Sequence, residues 1–168
     1  GNSNKKKIEE YGEAIFGVSV DSAVSAKTNW NIAGHDGGMI SAGIMGGITG
    51  FGADLLLIDD PIKTREEADS PTYREKLWDE WENTLLTRLH AGGRVIIILT
   101  RWHPDDLAGR LLAREGRVES GGKWHVIDLA AEAMEPFEGR DDSETIFPDI
   151  LGREPGQALW PDGGYDEK

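Results

Sequence analysis

The chain has 168 residues, 38% hydrophobic and 29% charged, a balance of globular domains rather than of disordered or fibrous chains. It has no cysteine, which excludes a disulfide framework and a thiolate zinc site, and the sequence shows neither a membrane-length apolar stretch nor a secretory signal. The net charge of −13 argues against a broad duplex-binding surface, because phosphate contact needs Lys and Arg; most of the acidic residues read as solubilising.

In chain order, Lys5–Tyr11 predicts the end of a helix closed by Gly12, with Lys5-Lys6-Lys7 as a solvated cluster. The chain opens as if in mid-element, which predicts a piece of a longer protein. Short extended pieces such as Ile15–Val20 follow. Trp30 to Ile44 predicts a hairpin, with Gly34-His35-Asp36-Gly37-Gly38 as the turn. Eight glycines fall between Gly34 and Gly52, so the segment from Gly43 to Gly52 reads as a glycine-rich loop. It feeds the run Asp54-Leu55-Leu56-Leu57-Ile58-Asp59-Asp60, which Pro61 stops. Four consecutive apolar residues predict a parallel strand buried on both faces.

Lys63–Asp69 reads as a polar connection. Ser70 is a good N-cap and Pro71 suits the first helical position. The helix is predicted to run to about Leu89, with Tyr73, Leu77, Trp78, Trp81, Leu85 and Leu89 on a core-facing stripe, and His90-Ala91-Gly92-Gly93 as its end. Arg94–Thr100 predicts a second buried strand, making a right-handed parallel crossover with the first. A further helix is predicted from Pro104 to about Glu115, and a third strand over Trp124–Leu129. From Ala130 to Lys168 the chain is acidic, rich in Gly and Pro, and reads as loops of a peripheral segment. The class is α/β with a mainly parallel sheet, and no internal repeat is present.

Ligands of such sheets bind at the carboxyl ends of the strands, where Asp59 and Asp60 sit. A first Asp holding a Mg²⁺–water and a second acid orienting an attacking water make up the Walker B arrangement of nucleotide hydrolases. The plainer reading is that Asp-Pro opens a turn. Leu99-Thr100-Arg101-Trp102-His103 ends the neighbouring strand, so Thr100 is a candidate to sense the γ-phosphate or its water. Arg88 and Arg101 are candidates for an arginine finger on a neighbouring subunit, and Arg101 also for contact with phosphate or DNA; a surface ion pair is the default for both. Asp105 and Asp106 admit a two-metal nuclease with Asp59, and a metal-dependent nuclease using Asp59, Asp60 and Asp105 is the competing enzyme reading, but acids in a first helical turn are explained by the macrodipole. His35, His90, His103 and His125 lack metal-ligand spacing. No Gly-x-x-x-x-Gly-Lys-Ser/Thr loop is present: Gly46-Gly47-Ile48-Thr49-Gly50 lacks the Lys, and Gly122-Lys123 runs into Trp124.

Four longer motifs carry a resemblance: Trp30-Asn31-Ile32-Ala33-Gly34-His35-Asp36-Gly37-Gly38, the stretch Gly47 to Lys63, Leu99 to Ala108, and Gly152-Arg153-Glu154-Pro155-Gly156-Gln157-Ala158-Leu159-Trp160-Pro161. Together they resemble the large terminase subunit of tailed phages and prophages, from about Lys7 to Pro161. The resemblance implies part of a RecA-like, P-loop (ASCE-type) ATPase core: residues 1–129 the later part of that core, and 130–168 a lid- or linker-like segment. It implies a motor that packages double-stranded DNA into the procapsid, using ATP and Mg²⁺ in the host cytoplasm. The partners it implies are the portal protein, the small terminase subunit and further copies in a ring, with no membrane. By position, Asp59 matches the Mg²⁺ residue, Asp60 the catalytic acid (Glu in many relatives), and Thr100 the coupling motif. The phosphate loop and the nuclease domain of the family have no counterpart here, so the chain by itself is expected to hydrolyse ATP poorly or not at all. A non-catalytic interaction module with a decayed ATP site is the third alternative, beside the motor and the metal-dependent nuclease.

Overall fold

The computed structural model describes residues 2–46, 48 and 50–160. Gly47 and Thr49 of the expected glycine-rich loop, and the last eight residues of the expected peripheral segment, lie outside them. The chain divides into two compact units, Gly1–Gly52 and Ala53–Lys168.

The first unit holds helix α1 (Asn2–Phe16) and an antiparallel sheet of β1 (Val20–Ser25), β2 (Asn29–Ile32) and β3 (Gly38–Ile40), in that order. The expected hairpin is present: Asn29 faces Ile40, Trp30 faces Met39, and Asn31 faces Gly38. Trp30 is the buried anchor of this sheet. The helix passes through Gly12 rather than stopping there, so the extended piece expected from Ile15 is helical up to Phe16. Gly12 has a packing reason instead. A Cβ at this position would stand 2.6 Å from the Val18 carbonyl oxygen, where the chain folds back on the helix.

The second unit is built on two parallel strands, β4 (Ala53–Asp59) and β5 (Leu89–Ile98), in register from Leu55–Arg94 to Asp59–Ile98. The expected parallel crossover is therefore formed. Alternation puts Leu56, Ile58, Val95 and Ile97 on the shielded face, and Leu55, Leu57, Ile96 and Ile98 on a face open to solvent. Burial on both faces was expected and is not found. A continuous apolar run states only that either face tolerates burial. β5 also begins earlier than expected. His90-Ala91-Gly92-Gly93 belongs to the strand, not to the helix end, and is accommodated by a break in register between Ala53 and Leu55.

Between the strands lie α2 (Arg65–Asp69) and α3 (Pro71–Glu80). The connection expected to be merely polar thus contains one helical turn, capped by the Thr64 hydroxyl, which accepts from the Glu67 amide at 3.2 Å. Ser70 caps α3 as expected, accepting from the Tyr73 amide at 3.3 Å. After Glu80 the helix widens into a π-turn over Trp81–Leu85 and tightens into a 3₁₀ turn over Leu86–Arg88. Leu77, Trp81 and Leu85, four residues apart, form the fully buried part of the predicted stripe. Each contributes about 1.5–3 kcal/mol by leaving water.

Helix α4 (Leu107–Glu115) starts three residues later than the Pro104 expectation, and buries Leu107, Leu111 and Leu112. The expected strand over Trp124–Leu129 is not formed. A single bridge joins Trp124 to Arg117, and Ile127 and Leu129 are exposed. Apolar residues make a strand only where a neighbour offers its ladder. Trp124 is used otherwise: its ring packs against Trp81 with centroids 6.2 Å apart, and its indole N–H donates to Glu115 at 2.8 Å. From Ala130 to Trp160 the described chain is loops, as expected. It is pinned by Arg153, whose guanidinium donates to Asp149 at 2.6 Å and to the Ala130 carbonyl at 2.9 Å. That arginine holds the Asp149 carboxyl below the usual carboxylate range. No helix among the described residues is long and apolar enough to cross a membrane.

Candidate functional site

The carboxyl ends of β4 and β5 meet. Asp59 closes β4 opposite Ile98, and the Asp60 amide donates to the Ile98 carbonyl at 2.9 Å, extending the ladder by one residue. Asp60 then leaves the strand with φ of +41°, the one non-glycine residue among those described with positive φ. Pro61 and Ile62 turn back into the core immediately afterwards. The turn swings the Asp60 side chain across to the neighbouring strand, where its Oδ1 accepts from the Thr100 amide at 3.2 Å. Asp59, Asp60 and Thr100 are all solvent-exposed. Tyr73 supports the rim from α3, donating through its hydroxyl to the Pro61 carbonyl at 3.3 Å. Burial, and secondarily Glu67, raises the Tyr73 pKa, so this donor stays protonated across the physiological range.

The loop leaving β5 is held by two ionic clusters. In the first, Arg101 Nε donates to Asp106 Oδ2 at 2.7 Å, and the other oxygen of Asp106 accepts from the Gly109 amide at 2.8 Å. Asp106 is 1% exposed, so it serves at once as the N-cap of α4 and as the buried partner of Arg101. Gly109 is demanded by this arrangement, since a Cβ there would lie 1.8 Å from the Pro104 carbonyl oxygen. In the second cluster Asp105 takes Arg110 Nε on Oδ1 at 2.7 Å, and Arg110 Nη2 and Arg74 Nε on Oδ2 at 3.0 and 3.1 Å. Arg110 first, and Arg74 after it, keep the Asp105 carboxyl below the ordinary carboxylate range. Arg74 is buried and also donates to the Ala68 carbonyl, so this cluster ties the crossover helices to the loop after β5.

Among the sequence-selected residues, the structure thus brings together Asp59, Asp60 and Thr100, and sets Arg101 beside them with its guanidinium committed to Asp106. Arg88 stands in the 3₁₀ turn before β5, at the opposite end of the strand, with its Nε buried and without a hydrogen-bond partner. Asp106 precedes α4 rather than sitting in its first turn, and Asp105 lies one residue further out. Arg74 was not anticipated. Its signal is a cation three residues before Leu77 and seven before Trp81, on the stripe that the helix buries.

Among the described residues, no group of three or more His, Asp or Glu side chains is placed to enclose a metal ion. An exposed strand-end carboxylate such as Asp59 still suits Mg²⁺, which keeps most of its waters and binds through one or two carboxylates plus substrate phosphates. Asp59 therefore offers one exposed carboxylate to such an ion, and the described residues do not form an all-protein cage.

A family model described as "Terminase large subunit, T4likevirus-type, N-terminal" matches residues 2–160. The chain belongs to this terminase family. Membership gives it a role in phage DNA packaging, a process that engages DNA and other packaging components. The terminase match covers both compact units, from α1 through the Arg153 loop. No curated protein and no solved structure matches the chain.

Proposed function

We propose that this terminase chain is the Walker B and coupling part of a RecA-like ATPase that drives double-stranded DNA into a procapsid. The observation that carries the reading is the junction of Asp59, Asp60 and Thr100 at one end of the parallel strand pair. In this reading Asp59 would hold the Mg²⁺ of ATP, and Asp60 would orient the attacking water with the oxygen not given to Thr100. Thr100 follows the state of the γ-phosphate and passes it to the loop held by Asp105 and Asp106. Mg²⁺, when bound, supplies the positive charge that offsets the phosphates. Arg88 is the cation this reading offers to a neighbouring subunit or to DNA, whereas Arg101 would have to release Asp106 to serve there. Other copies in a ring, the portal protein and the small terminase subunit complete the assembly, in the host cytoplasm.

The alternative of a nuclease using Asp59, Asp60 and Asp105 is disfavoured by one feature: both oxygens of Asp105 are taken up by Arg74 and Arg110. The test joins this chain to a phosphate-binding loop of its own family and measures ATP hydrolysis. Asp59→Ala and Asp60→Ala should each lower turnover by about a hundredfold or more, as loss of a positioned charge at a phosphoryl-transfer site does. Asp105→Asn should retain turnover wherever the protein stays folded. Full-rate hydrolysis by the Asp59 and Asp60 variants would overturn the motor reading. DNA cleavage abolished by Asp105→Asn would favour the nuclease.

A further inference from the structure

Asp60 combines two features that a water-orienting acid alone does not need. Its backbone sits at φ +41°, and its carboxylate reaches across to the main chain of the next strand. Left-handed φ is disfavoured for side chains with a Cβ, and is tolerated best by Asn and Asp, whose short polar groups bond locally. The residue also precedes Pro61, whose ring narrows the conformations open to it. Such a conformation is strained and persists only where surrounding contacts fix it. Two contacts do so here, both on the neighbouring strand end: the Asp60 amide on the Ile98 carbonyl, and Oδ1 on the Thr100 amide. They bracket Leu99, so the departure of the chain from β5 is clamped on both sides of one residue.

We propose that Asp60 is a positioning residue that sets the main chain at Thr100, and that its short carboxylate is what the left-handed turn requires. Oδ1 holds Thr100, and Oδ2 is the oxygen left for chemistry. A glutamate at this position would have an additional methylene between backbone and carboxylate. It would lose the local bonding that makes the turn tolerable and would carry its oxygens past the Thr100 amide. The proposal rests on the reading of Asp60 and Thr100 as one hydrolytic site, but its test does not involve nucleotide.

The test is hydrogen exchange of the Thr100 amide by NMR, in the chain as it stands and in four variants. Asp60→Asn keeps an oxygen and tolerates the turn, and should leave Thr100 protection within about threefold of the parent. Asp60→Ala, Asp60→Gly and Asp60→Glu should each speed exchange at Thr100 by about tenfold or more, with the Ile97 amide unchanged. Asp60→Gly relaxes the positive φ, so it reports loss of the clasp even if Asp60→Ala does not fold. Equal Thr100 protection in the parent and in Asp60→Gly, or full protection in Asp60→Glu, would overturn the proposal. A clasp present in a protein whose Asp59 variants hydrolyse ATP normally would sink the motor reading alone. A missing clasp beside Asp59-dependent hydrolysis would sink the positioning role alone.

Discussion

Removing Arg101 should destabilise the chain more than neutralising its partner, although Arg101 is the more exposed of the two. Asp106 is 1% exposed and has two sources of compensation, the Arg101 guanidinium at 2.7 Å and the Gly109 amide at 2.8 Å. Arg101→Ala strands a desolvated carboxylate on the cap bond alone, a change that costs about 3–5 kcal/mol when one partner of a buried pair is deleted. Asp106→Asn keeps an oxygen for the Gly109 amide and removes the buried charge, leaving the guanidinium, 41% exposed, to be hydrated. Its expected cost is about 1–2 kcal/mol, the scale of one charge-assisted hydrogen bond. For a chain of this size the two variants should then lower the melting temperature by roughly 6–20 °C and 2–8 °C respectively. Urea unfolding followed by circular dichroism, with unchanged slope, is the assay. An Arg101→Ala variant no less stable than Asp106→Asn would show that the carboxylate is not desolvated, and the account of the loop after β5 would fall with it.

The Gly109→Ala variant should be among the most damaging single-methyl additions, at about 3 kcal/mol or more, since the obstacle at 1.8 Å is the Pro104 backbone and cannot swing away; a wild-type urea midpoint would refute the close approach. Asp105→Asn should cost about 1–2 kcal/mol at pH 7, held down by partial exposure of the carboxylate. The Asp105 pKa is depressed in the folded chain, so its contribution is complete above the unfolded value of about 3.9 and fades as pH falls through the folded value. Parent and variant stabilities should therefore converge below about pH 4, and a difference that stays constant in acid would exclude the ion pair as the cause. Trp81→Ala should cost about 3–5 kcal/mol and expose Trp124, read as a red shift of tryptophan emission; unchanged emission would argue against the Trp81–Trp124 contact.

Local chemistry was legible in the sequence wherever a residue type has one structural use. Ser70 followed by Pro71 fixed the start of α3, and the glycine-rich turn after Ile32 fixed the hairpin. The acids after Ile58 and the threonine after Leu99 were legible as strand ends that meet, because parallel strands joined by a helix bring their carboxyl ends to one rim. What failed depended on partners. Trp124–Leu129 has strand composition, yet Trp124 serves the Trp81 cluster and no ladder is available to the rest. His90–Gly93 has the composition of a helix end, yet it pairs because β4 runs alongside. Asp105 and Asp106 look alike in sequence, and only their arginine partners reveal two separate structural tasks.

The uncovered leucines and isoleucines of β4 and β5 give the second unit a greasy strip on a polyanion. At low ionic strength, mutual repulsion between molecules carrying −13 charges keeps such strips apart. Added salt shortens the reach of that repulsion to about 8–10 Å and leaves hydrophobic attraction intact. Light scattering should consequently rise with salt, the reverse of what dissociates a protein from DNA, and a scattering signal that falls with salt would mean that the strip is not what brings the molecules together.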